Sequence, residues 1–201
     1  NPIQAGAGYG PELIESVEFG LKGRYMDNRL TLNAAFFDNE HEDMQVAYFT
    51  AEQAAASVVL NNSAEQSGFE LEAVALLNDT TQFSLNYGSL DSEYTESVTA
   101  PDGFAPELFP YAPESMIYAS LEKDFGNYRV RLDHSRVGEH NAFPYSSSDP
   151  RSQYTHVEER NITDFRLMTS PMDNLDITFW IKNLNDEEYV VNMIPFGPGF
   201  G

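Results

Sequence analysis

Hydrophobic and polar residues alternate with a period of two along most of this chain. Between residues 16 and 25, Val17, Phe19, Leu21 and Tyr25 fall on one side and Glu18, Gly20, Lys22 and Arg24 on the other. That is the pattern of a strand with one apolar and one polar face. After the turn formers Met26, Asp27 and Asn28, Leu30, Leu32, Ala34 and Phe36 alternate with Thr31, Asn33, Ala35 and Phe37. The two runs predict a hairpin.

Further hairpins follow. Phe69, Leu71 and Ala73 alternate with Glu70 and Glu72, and after a turn at 78–81 Phe83, Leu85 and Tyr87 alternate with Ser84, Asn86 and Gly88. A third joins 116–125 to 128–137 around Gly126 and Asn127, with Arg129, Arg131 and Asp133 facing away from Tyr128, Val130 and Leu132. A fourth joins 161–169 to 175–184 through a turn at 170–174, with Leu175, Ile177, Phe179 and Ile181 on one face. The segment 51–56 is the one helix-prone stretch, and it is short.

The links sort by length. Within hairpins they are a few residues; between hairpins they run over 48–62, 95–112, 138–157 and 185–201. In an up-and-down meander every other connection lies on the same side, so all the long links share one end and all the short turns the other, as in outer-membrane barrels. Aromatic residues Tyr25, Phe36, Phe83, Tyr87, Tyr128 and Phe179 recur near strand ends, where interface girdles sit. The expected fold is therefore all-β: about eight strands of an antiparallel, up-and-down transmembrane β-barrel. The alternation assigns Val17, Phe19, Leu21, Leu30, Leu32, Phe83, Leu85, Ile177 and Phe179 to lipid, and Glu18, Lys22, Asn33, Glu70, Glu72, Arg131 and Lys182 to the lumen.

Composition narrows the partners. With 11 Lys and Arg against 32 Asp and Glu, a net charge of -21 argues against nucleic acid. At 41% hydrophobic and 13% aromatic the chain is too rich in core formers to be disordered. It has no cysteine, which removes disulfides and thiolate zinc sites. No stretch approaches 18 uninterrupted apolar residues, so a membrane role has to use strands.

Three stretches in order resemble the C-terminal barrel of TonB-dependent receptors. They are Tyr9, Gly10, Pro11 and Glu12 with Val17 through Gly23; Asn33 through Phe37 continuing to Asp43, Met44, Gln45 and Val46; and Trp180 through Leu184 with Asp186, Glu187 and Tyr189. Gly68 through Glu72 fits between them, and the matches span nearly the whole chain. His41 stands where an aromatic commonly precedes the Asp-x-Gln motif by two residues. The resemblance implies a barrel of about 22 strands filled by an N-terminal plug and energised through an inner-membrane TonB complex. It implies import of siderophores, haem, cobalamin or glycans across the outer membrane of a Gram-negative bacterium. Residues 1–201 are expected to be the C-terminal segment of that barrel, with the plug domain, the TonB box and the final strand outside them.

Candidate chemistry is sparse. The run Asp38, Asn39, Glu40, His41, Glu42 and Asp43 suggests a cation site, but alternate strand residues point to opposite sides and cannot all converge. His134, His140 and His156 lack ligand spacing, and no Gly-x-Ser-x-Gly elbow is present. No metal, cofactor or catalytic residue is expected. The long links carry Tyr48, Phe49, Phe104, Phe109, Phe143, Tyr145, Met193 and Phe196, which either cup a siderophore or other small ligand or pack on one another. Uptake of a scarce ligand, with outer-membrane lipid and the TonB complex as partners, is the leading reading. A passive porin and a soluble carbohydrate-binding β-sandwich are the alternatives, the last requiring solubility without detergent.

Overall fold

The computed structural model describes residues 11–49, 57–100, 103–145, 148–150, 152–191 and 193. Strands β1 (Leu13–Tyr25), β2 (Leu30–Phe49), β3 (Ser57–Asn78), β4 (Thr81–Glu96), β5 (Ser115–Asp124) and β6 (Tyr128–Val137) follow one another. After them come the two-residue strands β7 (His140–Asn141) and β8 (His156–Val157), then β9 (Arg160–Met172) and β10 (Leu175–Ile181). Eight of them form one sheet in the order β1-β2-β3-β4-β5-β6-β9-β10, every pair antiparallel. The sheet is a meander, open at β1 and β10 among the described residues.

Local chemistry explains the tight turns. Met26, Asp27 and Asn28 all adopt left-handed φ values of 54°, 53° and 67°, and Arg29 N donates to Met26 O at 3.1 Å. Asn78 Oδ1 accepts from Thr80 N at 3.0 Å, an Asx turn that starts β4. Between β5 and β6, Asp124 Oδ1 accepts from Gly126 N at 2.6 Å. Gly126 sits at φ 85°, a conformation that a side chain would strain.

Register explains the two faces, because directly paired residues in antiparallel strands share a face. One row runs Tyr25, Leu30, Ala75, Phe83, Leu121, Leu132, Phe165 and Ile181. All the residues assigned to lipid from the sequence lie on that row's face. Glu18, Lys22, Asn33, Glu70, Glu72 and Arg131 lie on the other; Lys182 falls just past β10. The apolar band crosses the rows obliquely. The row Leu21, Ala34, Leu71, Tyr87 and Ile117 ends on Arg136 and Asn161, so in β6 the band lies nearer the short turns than in β1. Strands that tilt through a slab of fixed height give this slant.

The apolar face is uncovered by protein. Phe19, Leu21, Phe36, Phe69, Ile177 and Phe179 are all exposed, a continuous patch of a kind that soluble monomers seldom carry. The buried hydrophobics lie instead at the long-link end: Val46, Leu60, Ala64, Ala100, Phe104, Ala142, Tyr145 and Val157.

Several boundaries differ from the sequence reading. β2 and β3 have 20 and 22 residues, about twice the 9–11 that cross a bilayer. They absorb much of the link expected at 48–62, because Val46 and Leu60 pair and are buried. The alternation was hidden there by a bulge between His41 and Met44, with Asp43 at φ 56°, which flips the side-chain phase. β9 continues to Met172, leaving Asp173 and Asn174 as the turn, and a bulge between Leu175 and Ile177 restores the face. β10 stops at Ile181, where Asp164 Oδ1 accepts from Asn183 N at 2.8 Å and Asn183 turns left-handed at φ 52°. The helix-prone segment 51–56 lies outside the described residues.

Candidate functional site

The two ends of the sheet have different electrostatics. Glu15, Glu40, Glu65 and Glu93 stand abreast in one row at the long-link end, with Asp38 and Asp91 in the row below. Both rows continue the apolar face beyond Phe36 and Phe69. None of these carboxylates has an ion-pair partner among the described residues, although like charges directly opposite repel. Basic side chains gather on the polar face instead, at Lys22, Arg24, Arg129, Arg131, Arg160 and Arg166.

Along β5, β6 and β9 the polar face carries a chain of alternating charge. Asp124 meets Arg129 at 3.8 Å, Arg129 meets Glu122 at 3.4 Å, and Glu122 meets Arg131 at 3.6 Å. Arg131 Nε donates to Asp133 Oδ1 at 2.8 Å, and Arg166 lies 3.9 Å from Asp133 Oδ2. Tyr118 closes the group, its hydroxyl donating to Asp133 Oδ1 at 2.5 Å and accepting from Arg131 at 2.8 Å. Asp133 is buried and its Oδ2 accepts no hydrogen bond. A wall so wired is neutral in sum and stiff, because each charge is held by opposite neighbours.

At the long-link end the sheet splits. β4 pairs with β5 only as far as Ser89 and Ser115, and beyond that β4 follows β3 alone to Glu96. Two links fill the gap. Asn62, buried on β3, accepts from Val98 N at 2.8 Å through Oδ1. Glu107 N donates to Pro144 O at 3.2 Å and Tyr111 N to Asn141 O at 2.7 Å, which knits 97–114 to 138–159. β7 and β8 form a small hairpin inside the second link. At its mouth Arg136 bonds Glu159, and Asn161 Nδ2 donates to the same carboxylate at 2.8 Å. The Arg136 hydrogen bond, and then that from Asn161, hold the Glu159 carboxyl below its ordinary value.

The aromatic residues singled out from sequence have different fates here. Phe104 meets Tyr145 edge-on at 5.9 Å, and Phe143 stacks on Tyr145 at 5.9 Å. With Leu60 and Ala100 they make a small core in which Tyr145 is 1% exposed. Phe109 stacks on Tyr94 at 4.3 Å and lines the cleft at the split. Tyr48 and Phe49 extend β2, paired with Val58 and Ser57. Met193 is half-buried; Phe196 lies outside the described residues. Links thus use three of the aromatics to hold one another, and a ligand reaching them has to displace that packing.

Sequence reasoning missed Tyr94, Asn62 and the carboxylates of the cleft, Asp91, Glu114, Glu139 and Glu159. Nothing in spacing joins residues that come together only through register. A larger cleft of about 830 Å³ lies at the short-turn end beside Gly126 and Thr178, but its Arg129 is already committed to Glu122 and Asp124.

A meander with one apolar face, one wired polar face and links sorted by length is the arrangement of an outer-membrane barrel wall. The family model described as TonB dependent receptor-like, beta-barrel matches residues 2–184. The chain belongs to the TonB-dependent receptor β-barrel family. Members of this family are transporters, not enzymes. Among solved structures this receptor barrel chain is similar to the ferric-catecholate import receptor Fiu from Escherichia coli K12, at 20% identity and a TM-score of 0.72 over 94% of this chain and 27% of that one. It is similar to the ferric yersiniabactin uptake receptor FyuA from Yersinia pestis, at 22% identity and 0.69 over 92% and 27%. The copper transporter OprC gives 16% identity and 0.69 over 90% and 26%. These likenesses show the fold; the chain spans about a quarter of the length of each receptor. No curated protein matches it.

Proposed function

We propose that this chain is the C-terminal part of the barrel of an outer-membrane uptake receptor that imports a siderophore or a similarly scarce nutrient. The long links face outward and the short turns face the periplasm, as barrels of this kind are built. The plug and the segment that contacts the TonB complex belong to regions outside these 201 residues. The observation that carries the reading is the match to the receptor family over residues 2–184, on a sheet whose apolar face is uncovered. Two of the solved neighbours are named for ferric-catecholate import and ferric yersiniabactin uptake, which favours an iron complex as cargo.

The test is whole-cell uptake. In a Gram-negative host carrying the full-length gene, deletion should abolish energy-dependent uptake of one class of radio-iron siderophore and growth on it under iron limitation. If the deletion leaves every iron complex unaffected and instead slows passive entry of small hydrophilic solutes, the protein is a porin and this reading fails.

A further inference from the structure

The sheet is interrupted at one level across four neighbouring strands. β1 begins its pairing at Leu13, opposite Glu42. Just beyond, β2 fits Glu42 and Asp43 against the single residue Ser63 of β3, between the pairs His41 with Ala64 and Met44 with Asn62. On the other side of β3, β4 carries Thr95 as an extra residue between Tyr94, opposite Ala64, and Glu96, opposite Ser63. Ser63 thus has a bulge on each flank, and Asp43 in the first is left-handed at φ 56°. Bulges bend a strand and disrupt its ladder locally. Above this line the sheet narrows to a ribbon of two strands, 44–49 against 57–62, and such a ribbon is marginally stable by itself.

The links stabilise the ribbon. Leu60 shares the small core with Ala100, Phe104 and Tyr145, and Val98 N donates to Asn62 Oδ1 at 2.8 Å. Glu107 N donates to Pro144 O at 3.2 Å, and Ala142 N to Thr155 O at 2.8 Å. Ribbon and outer links therefore pack as one body, a cap on the eight-stranded wall. The cap meets the wall where Phe109 stacks on Tyr94 at 4.3 Å. That contact has a cost, because the Tyr94 hydroxyl is buried without a hydrogen-bond partner, a loss that water recovers when the rings part.

We propose that the cap is a lid that pivots about the line of bulges at Ser63, with the Phe109–Tyr94 stack as its latch. Opening separates the two rings, hydrates the Tyr94 hydroxyl and widens the cleft between the end of β4 and the links. An aromatic stack on one side and an unsatisfied hydroxyl on the other are opposing terms of similar size. Closed and open states of that kind lie close in free energy, as an element that shifts between two populations requires.

The chain has no cysteine, so pairs of spin labels can be introduced by substitution in a cysteine-free full-length receptor in lipid vesicles, without any ligand. Leu121→Cys with Tyr154→Cys spans wall and cap, and Ala47→Cys with Tyr154→Cys lies within the cap; all three positions are exposed. Pulsed electron resonance should give two distances for the first pair and one narrow distance for the second. Phe109→Ala should raise the share of the longer wall-to-cap distance at least about twofold. Tyr94→Phe, which keeps the ring and removes the orphan hydroxyl, should shift the shares the other way, and it serves as the test even if Phe109→Ala loosens the cap. A single wall-to-cap distance in the receptor and in both variants overturns the inference. So does a broad distribution for the cap pair in the unmodified receptor, which would mean that the links move separately. Shares that neither variant changes overturn it too.

Discussion

Leu32 and Asn33 are chain neighbours on opposite faces of the sheet: Leu32 stands opposite Ala73 in the apolar band, while Asn33 Nδ2 donates to Glu72 Oε2 at 3.1 Å on the polar face. In the full-length receptor Leu32→Arg should cost about 2–4 kcal/mol, as cations near the bilayer midplane do. Asn33→Arg, next to Glu72, should be tolerated. Unfolding in lipid vesicles measures both, and equal effects would sink the face assignment.

The charged wall makes a second prediction. Asp133→Ala would leave Arg131 and Arg166, direct partners across β6 and β9, without the carboxylate between them. Only the carboxylate is buried, Arg166 being half-exposed and Arg131 keeping Glu122, so the loss should be that of charged hydrogen bonds, about 1.5–3 kcal/mol. Tyr118→Phe takes away one hydroxyl and should cost about 1 kcal/mol. Thermal unfolding of the receptor in detergent should rank the two in that order; a larger loss for Tyr118→Phe would mean that the ladder is not held through Asp133.

The link core predicts local rather than global damage. Phe104→Ala would empty one side of Tyr145, a loss of about 3–5 kcal/mol for a large buried ring. Because this core sits beyond the membrane-crossing part of the strands, limited proteolysis should cut 97–114 and 138–159 faster while the heat-resistant barrel band on gels persists. Deleting 99–105 should also weaken ligand binding from outside. Unchanged affinity would make this link a bystander.

Much of the fold was legible in the sequence, for one physical reason: a strand with lipid on one side and water on the other must alternate, and the alternation fixes face, turn and register together. Val17 through Phe36 and Phe83 through Tyr87 were read correctly on that ground. The pattern failed where side chains meet protein on both sides or the phase slips. The bulge at Asp43 hid the outer half of β2, and the pairing of Val46 with Leu60 made strand of an expected link. The cleft was illegible because Asp91, Glu114 and Glu139 come from three segments, and Phe104, Phe143 and Tyr145 read equally well as ligand contacts or as the small core that they form.

The isolated chain should not behave as a soluble protein. Among the described residues β1 and β10 present unpaired backbone groups on open edges, and the apolar face adds a large exposed patch. Size-exclusion chromatography with light scattering, without detergent, should show aggregates or higher oligomers; a sharp monomer with a cooperative melt would point to a β-sandwich.

The most direct measurement of the central claim is a spin-label scan along β2 of the full-length receptor in lipid vesicles, with one label at each position from 30 to 37. Collision with oxygen should peak at Leu30, Leu32, Ala34 and Phe36, and collision with a water-soluble nickel chelate should be lowest at the same positions, giving two opposed waves of period two. Waves in phase, or a nickel maximum at Leu32 and Ala34, would mean that this face meets water and that the sheet is not the wall of a membrane barrel.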